Sequence, residues 1–291
     1  ESSLAKDAPD AKKVEHKTEI HNTVLEDDYF WMRLSDEQKK SEKADAQTTD
    51  VLNYLKAENK YKEAVLAPTE ELQSALYDEI VGRIVKDDES VPVFYRGYWY
   101  YTRFEEGKEY SYNCRKKASM DATEEVLLDG PALAEGHSYF AIGGSSVSPD
   151  NKLLVYSVDT VSRRQYTIYF KDLVSGEMFE DMIPETTGGA VWANDNKTIF
   201  YTKQDPNTLR SYRVFKHVLG TDTADDVLVF EETDETFYVG IGKTKSRKYI
   251  MISSNSTLST ETRYIEADLP DSEWTIIHPR EENHEYGVSH Y

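Results

Sequence analysis

The sequence predicts a mainly β protein, in which an N-terminal arm and helices precede about four blades of a β-propeller. Three observations predict this fold. Helical spacing of apolar residues ends near residue 82. Short β-branched and aromatic runs, separated by turns, follow from residue 90. These runs recur about every 40–50 residues, which is typical of propeller blades. We therefore assign residues 1–82 to the arm and helical segment and 83–291 to a partial propeller.

The first part of the chain is polar and has one aromatic cluster. Residues 1–20 show no periodicity and predict an extended arm. The cluster Tyr29-Phe30-Trp31 follows an acidic turn. It indicates either an anchor for a partner surface or a small core under a loop.

Two or three helices are expected before residue 83. Ser35 and Gln38 fit a capping box at the start of a short helix. A longer helix is predicted over about 50–66 from one apolar stripe. Thr69 is the expected N-cap of the next helix, and Gly82 is the expected glycine after its last turn.

The β region repeats a polar tight turn followed by a five-residue strand. Asn151 aligns with Asn196 in the next copy and with Arg247 in the one after, and Arg96 begins a weaker first copy. A single four-stranded blade cannot bury both of its faces, so blades stack around a channel. The alignment predicts blades at 90–136, 138–182, 186–233 and 236–281, and the start of a fifth at 282–291.

Composition excludes several classes of protein. Asp and Glu outnumber Lys and Arg by 54 to 34, and a net charge of −20 repels nucleic acid. The one cysteine excludes an intrachain disulfide and a cysteine-based zinc site. No apolar run reaches the roughly 20 residues of a membrane helix. The sequence leaves the compartment open, because one cysteine fits the cytoplasm, whereas the polar start at Glu1 also fits a periplasmic protein whose export signal has been removed.

No local pattern supplies a serine nucleophile. Gly144 stands two residues before Ser146, but Ser148 occupies the position where a nucleophile elbow needs a second glycine. The segment lies in the predicted β region, directly before the tight turn of a repeat. We interpret it as the first strand of a blade.

The other candidate groups also lack a reactive pattern. The seven histidines form no zinc-binding His-Glu-x-x-His set and are expected to be solvated or in the core. Adjacent acidic residues such as Asp225/Asp226 and Glu231/Glu232 point to opposite faces of a strand, so they form no facing carboxylate pair, and most of them are expected to be solvated. Arg163 is interpreted as part of a surface salt bridge. The sequence therefore assigns no catalytic, cofactor-binding or metal residue, and no cofactor.

Several segments together resemble oligopeptidase B, also called protease II, in the prolyl oligopeptidase family of serine peptidases. The similarity runs in order from about residue 11 to residue 291. It is carried by residues 26–33 (EDDYFWMR), 54–66, 76–91, 97–116 (GYWYYTRFEEGKEYSYNCRK), 125–140, 147–173 and 191–202.

The resemblance implies a seven-bladed propeller that caps a C-terminal α/β-hydrolase domain. That domain holds the family's Ser, Asp and His triad, and this branch cleaves short peptides after Arg or Lys. This chain ends about four blades into the propeller, so the resemblance implies a part that controls access and is inactive alone. The implied partners are short basic peptides and the missing hydrolase domain. Without that domain, the helices lack a covering surface, and the isolated chain is expected to be marginally stable or to pair with itself or with the missing remainder.

Two other functions remain open from the sequence. The chain could be a stand-alone propeller that binds a protein through its blade loops. It could also be a four-bladed enzyme with carboxylate chemistry in its channel. A closed ring, in which the first strand pairs near residue 291, would favour these two hypotheses.

Overall fold

The computed structural model describes residues 7–291, and the chain divides into two compact units, Glu1–Val85 and Lys86–Tyr291. The first unit contains one hairpin and three α-helices. Their bounds are β1 Lys17–Ile20, β2 Thr23–Glu26, α1 Asp36–Lys40, α2 Ala46–Leu66 and α3 Glu70–Gly82.

Capping explains where these helices begin and end. The predicted capping box of Ser35 and Gln38 is confirmed at α1. Helix α2 begins four residues earlier than expected because the Asp45 carboxylate accepts from the Thr48 amide at 2.7 Å. Gly82 is not the glycine after the last turn. It lies within α3, and Arg83 follows it in right-handed helical conformation.

The aromatic cluster forms a small core within this unit. Trp31 lies edge-on to Tyr54 of α2, with 6.2 Å between ring centroids, and its Nε1 donates to the Lys12 carbonyl at 2.8 Å. Phe30 stacks on His16 at 3.7 Å. Of the two interpretations of this cluster, the small core is the one that the contacts support.

Most apolar side chains of α2 and α3 are nevertheless exposed. Helix α2 buries only Thr48 and Val51, and no residue of α3 is buried, both helices being described in full. The exposed apolar residues of the two helices are Leu52, Leu55, Val65, Leu66, Leu72, Leu76, Tyr77 and Ile80.

The second unit consists of four antiparallel blades in chain order. Blade 1 contains β3 Val93–Tyr95, β4 Tyr98–Arg103, β5 Tyr112–Lys117 and β6 Glu124–Asp129. A short helix, α4 Gly130–Ala134, follows it, although the sequence predicted no helix beyond residue 90. The Asp129 carboxylate accepts from the Ala132 amide, and Pro131 at the start of α4 favours the helical turn.

Blades 2 and 3 share one seven-stranded sheet. The strands are β7 Ala141–Val147, β8 Leu153–Asp159, β9 Tyr166–Asp172, β10 Met178–Trp192, β11 Thr198–Gln204, β12 Ser211–Val218 and β13 Val227–Glu231. The first half of β10 pairs with β9, and its second half pairs with β11. The chain turns at Gly188 with a φ of 93°, where an added Cβ would lie 2.9 Å from the Tyr166 ring. One continuous strand therefore serves as the last strand of blade 2 and the first strand of blade 3.

Blade 4 contains β14 Tyr238–Lys243, β15 Tyr249–Asn255, β16 Thr260–Glu266 and β17 Thr275–His278. Apolar clusters lie within and between neighbouring blades. One joins Phe200 and Val214 of blade 3 to Ile250, Ile252 and Ile265 of blade 4, and all five are buried. This packing satisfies the need of each blade for a neighbour on its open face.

Each blade contains an equivalent tight turn, and hydrogen bonds join the turns of neighbouring blades. Arg96, Asn151, Asn196 and Arg247, which the repeat alignment placed together, all adopt positive φ between 53° and 65°. Asn151 Nδ2 donates to the Arg96 carbonyl at 3.2 Å, and Asn196 Oδ1 accepts from the Asp150 amide at 2.8 Å. Asn194 Nδ2 donates to the Arg247 carbonyl at 3.2 Å. We call these four turns (95–97, 148–152, 193–197 and 244–248) the turn belt.

Residues 282–291 hold no strand, and the start of a fifth blade there stays a prediction. This segment runs along blade 4, where the Thr260 amide donates to the His284 carbonyl and the Ser246 amide to the His290 carbonyl. Strand β3 has β4 as its only neighbour in the sheets of residues 7–291. The strand pairing that a closed four-bladed ring requires is therefore absent from this part of the chain.

Candidate functional site: a cationic cleft and an acidic rim

A cleft of about 800 Å³ opens at the turn belt. The turns of blades 1 and 4 and the ends of β7 and β10 form its walls. Its charged lining residues are Arg96, Lys243, Arg247, Lys248 and Asp268. Four cations around one carboxylate make this cleft locally positive on a chain whose net charge is −20.

Lys243 is the cation held most firmly in the cleft. Its Nζ donates to the Trp192 carbonyl at 2.8 Å and to Asn194 Oδ1 at 2.6 Å. Burial, together with repulsion from Arg96 and Arg247, lowers the pKa of Lys243 to about 8. The side chain therefore exchanges its proton close to neutral pH.

Arg96 and Arg247 flank the same opening. The Arg96 guanidinium donates to the Val147 and Ser148 carbonyls, and the Arg247 guanidinium lies 6.0 Å from the centroid of the Tyr95 ring. Arg247 is exposed. Such donors can hold an anionic or carbonyl group. Ser145 and Ser146 also line the cleft, but no histidine is among its lining residues, so the cleft contains no Ser–His pair.

The glycine-serine segment is confirmed as the first strand of a blade. It lies in β7, where Gly144 approaches blade 3 so closely that an added Cβ would be 2.7 Å from the Gly188 carbonyl oxygen. The Ser157 hydroxyl accepts from the Gly144 amide and donates to the Gly188 carbonyl. These glycines therefore allow two first strands to approach each other.

The opposite ends of the strands carry an acidic rim. Strand β14 runs from Tyr238 at this rim to Lys243 in the cleft. Two neighbouring depressions of about 520 and 580 Å³ lie there, and Arg210 and Arg280 are their only basic lining residues. The acidic rim consists of Asp205, Glu231, Glu232, Asp234, Glu235, Glu281 and Glu282.

In two of the acidic pairs one carboxylate is buried, which makes these pairs exceptions to the expectation that most are solvated. Glu232 is buried and pairs with Arg280, whose guanidinium lies 3.6 Å from the centroid of the Phe237 ring. Asp226 is buried beside His217. The missing signal was the partner, because Glu232 meets a guanidinium 48 residues away and Asp226 meets an imidazole of the preceding strand, nine residues away.

His217 joins blades 2 and 3. Its Nδ1 lies 2.6 Å from Asp226 Oδ1 and its Nε2 lies 3.0 Å from Asp181 Oδ1. Tyr201 donates to the other Asp226 oxygen at 2.7 Å. Burial opposes the charged imidazole, but hydrogen bonds to Asp226 and Asp181 outweigh it and raise the pKa of His217. Because Asp181 lies in the half of β10 that belongs to blade 2, this cluster ties two blades together.

The histidines are not all isolated. The structure brings His278, His284 and Glu281 together at the acidic rim, with ligand atoms within 4.8 Å of one another. Sequence reasoning missed this group because it tested only helical spacings, whereas these residues lie in a turn. The pattern His-x-x-Glu-x-x-His was the available signal.

Arg163 does not form the predicted salt bridge. No ion pair involves it or Arg164 in the part of the chain that the structure describes. Instead, the buried Asp159 carboxylate accepts from the amides of both arginines. The loop is thus held through its backbone.

Among residues 7–291, none of the helices has the length and apolar character of a membrane-spanning helix.

Comparison with known proteins accounts for this architecture. Residues 9–291 match the family described as prolyl oligopeptidase, N-terminal β-propeller domain. The chain is 43% identical to dipeptidyl aminopeptidase BI of Pseudoxanthomonas mexicana, over 99% of this chain and 41% of that protein. It is 34% identical to protease 2 of Moraxella lacunata, over 97% of this chain and 40% of that protein.

A solved structure shows the same fold. The chain superimposes on oligopeptidase B from Leishmania major with a TM-score of 0.86 and 28% identity, covering 98% of this chain and 41% of that one. The chain thus spans about two fifths of the length of the relatives that it matches, and the matching part is the propeller part. The predicted fold class is confirmed. This chain belongs to the prolyl oligopeptidase family, within which it comprises the N-terminal β-propeller region.

Proposed function

We propose that this chain is the propeller part of an oligopeptidase B-like serine endopeptidase that cleaves short peptides after Arg or Lys. One observation carries the proposal, namely the match over residues 9–291 to the family's propeller domain. In this proposal the propeller restricts access to large substrates, and a separate α/β-hydrolase domain performs acyl transfer. The 291-residue chain alone is then inactive.

The acidic rim supports a preference for basic peptides. Carboxylates that line one end of the strands raise the local concentration of cationic peptides, whereas the cationic cleft at the turn belt repels them. We therefore propose that the substrate path runs past the acidic rim.

The exposed helices provide a surface for the remainder of the protein. Leu72, Leu76 and Ile80 recur at the helical spacing of one face of α3, and all three are exposed. A monomer does not normally leave such a face in water. We propose that the C-terminal hydrolase domain of the longer protein covers it.

The proposal is tested with the product of the whole gene and with the 291-residue chain. Both are assayed with an N-terminally blocked fluorogenic peptide that ends in Arg at the cleaved bond, and with the same peptide carrying Gln there. We expect cleavage of the Arg peptide by the longer product only, and its loss after treatment with a phosphonylating serine reagent. Hydrolysis by the 291-residue chain, or equal cleavage of the Gln peptide, would contradict the proposal.

Charge reversal tests the route of the substrate. In the longer product, Glu235→Lys with Glu282→Lys should lower kcat/KM for a dibasic peptide by about 10-fold at low salt, with a smaller loss at high salt. Lys248→Glu in the cationic cleft is the matched control and should not lower it. A larger effect of the control would place the path at the turn belt.

A dipeptidyl aminopeptidase is the second candidate, favoured by the 43% identity to a protein of that name. The two candidates differ in what they require at the N-terminus of the substrate. A dipeptidyl aminopeptidase releases two residues from a free N-terminus and does not cleave the blocked peptide. Cleavage of an unblocked dipeptide substrate but not of the blocked Arg peptide would therefore favour the second candidate.

A further inference from the structure

We propose that His278, Glu281 and His284 form a binding site for a divalent transition-metal ion such as Zn²⁺. His278 is the last residue of β17, and Glu281 and His284 flank the turn that follows this strand at the acidic rim. Two imidazoles and one carboxylate are a ligand set that suits zinc, nickel, cobalt and ferrous iron. Calcium and magnesium prefer ligand sets made of oxygen alone.

The distances fit a single ion. Nε2 of His278 lies 3.0 Å from Glu281 Oε1, and Nδ1 of His284 lies 3.5 Å from Glu281 Oε2. Tetrahedral zinc, with bonds of about 2.0–2.2 Å, sets neighbouring ligand atoms about 3.3–3.6 Å apart. Both distances between an imidazole nitrogen and a Glu281 oxygen are therefore close to the separation that an ion requires, and the three donor groups all lie within 4.8 Å of one another.

The turn is held in this conformation by contacts that do not involve the three ligands' donor atoms. The Arg280 amide donates to Glu261 at 3.1 Å, and the Arg280 guanidinium pairs with buried Glu232. The Asn283 amide donates to the Ser259 hydroxyl at 3.0 Å, and Asn283 takes the positive φ, 59°, that reverses the chain. A turn that is fixed in advance loses less conformational entropy when it binds an ion.

Tyr286 orients the two imidazoles. Its ring lies edge-on to His278 and to His284, with centroids 5.9 and 5.7 Å away. Its hydroxyl donates to the His278 carbonyl and accepts from the Thr262 amide. The ring therefore limits how far either imidazole can turn away from Glu281.

The three ligands leave part of the ion open. The side chains of His278 and His284 are 43% and 42% exposed, and that of Glu281 is 60% exposed. Three protein ligands with an open position differ from closed structural zinc sites, which have four. Water or an acidic or carbonyl group of a second molecule would complete the coordination.

Calorimetric titration of the 291-residue chain with ZnCl₂ at pH 7.5 tests this site. We expect one ion per chain, and at least about 10-fold weaker binding in His278→Ala, Glu281→Gln and His284→Ala, since even groups that only hydrogen-bond to a ligand are worth about 10- to 100-fold. Glu282→Gln and His21→Asn remove a neighbouring carboxylate and a distant imidazole, and both should bind like the original chain.

A second measurement separates loss of the site from loss of the fold. Without metal, the urea midpoints of the three variants should equal that of the original chain, because the removed side chains are partly exposed. With Zn²⁺, only the original chain and the controls should shift to a higher midpoint. X-ray absorption of the Zn²⁺ complex should show two imidazole ligands. Absence of stoichiometric binding, or binding that all three variants retain, would overturn the proposal.

Discussion

The two units of this chain use apolar residues in opposite ways. In the blades, Ile168, Phe200 and Ile250 are completely buried. In the helical unit, Tyr77 and Ile80 are 67% and 61% exposed. The blades find their packing partners in the next repeat, whereas the helices have no equivalent repeat. The difference teaches that a repeat architecture supplies its own core, whereas helices outside the repeat gain no packing partner from it.

The largest expected effect concerns the blade core. Phe200→Ala should lower the free energy of unfolding by about 4 kcal/mol, because it removes a fully buried ring between blades 3 and 4 and leaves a cavity. Urea unfolding followed by tryptophan fluorescence measures it, since Trp274 lies edge-on to Phe200 at 5.6 Å. A loss below about 1 kcal/mol would show that the blades are not the packed region described above.

The next effect concerns the buried cluster of His217, Asp181 and Asp226, which joins blades 2 and 3. His217→Leu should cost about 3 kcal/mol at pH 6, because it leaves Asp181 and Asp226 buried without their partner. The raised pKa of His217 means that its charged form adds stability fully below the unfolded pKa of about 6.5. That contribution is lost as pH rises through the folded pKa.

The difference in free energy of unfolding between the original chain and His217→Leu should therefore become smaller from pH 6 to pH 9. Urea midpoints at several pH values provide the measurement. His137→Leu is the control for the loss of an imidazole, because His137 is exposed and is not part of this buried cluster. A gap that widens with pH would contradict the assignment of a charged His217.

A smaller effect is expected at the turn belt. Asn196→Ala should cost about 1–2 kcal/mol, because it removes the bond from the Asp150 amide and forces alanine into a positive φ of 61°. Asn196→Gly loses the same bond without the backbone strain, so it should cost less. Equal costs for both variants would mean that the backbone conformation contributes nothing there.

The smallest effect is expected in the helical unit. Ile80→Ala should change the stability of the 291-residue chain by less than about 0.5 kcal/mol, because this side chain is already exposed. Amide hydrogen exchange should likewise be faster in α3 than in β15. In the longer protein, the same substitution should cost about 2–3 kcal/mol if a further domain buries Ile80. A large cost in the isolated chain would show that the helices have a core of their own.

Repetition explains how much of the fold could be predicted. The alignment of Asn151, Asn196 and Arg247 identified positions that share one backbone conformation, because each repeat needs the same tight turn. The continuous strand β10 could not be predicted, since a period reveals where units recur and not whether their boundary is a loop. The early start of α2 was missed because the cap, Asp45, lies outside the apolar stripe.

The polar sites were harder to predict than the fold. Cys114 is buried, as expected for a small apolar residue, and burial raises the pKa of its thiol to about 11. The tie at His217, by contrast, depends on Asp181, 36 residues away in another blade. Contacts between residues so far apart in the sequence follow from the stacking of blades, which no local pattern of residue types encodes.

Strand β10 also determines which blades can move relative to one another. Blades 2 and 3 share the continuous strand β10 and are therefore expected to move together. Their junctions with blades 1 and 4 consist of the segments 130–140 and 232–237, which contain no strand. Relative motion of the blades should therefore be greatest at those two junctions. A cross-link across either junction should restrict this motion more than a cross-link between blades 2 and 3.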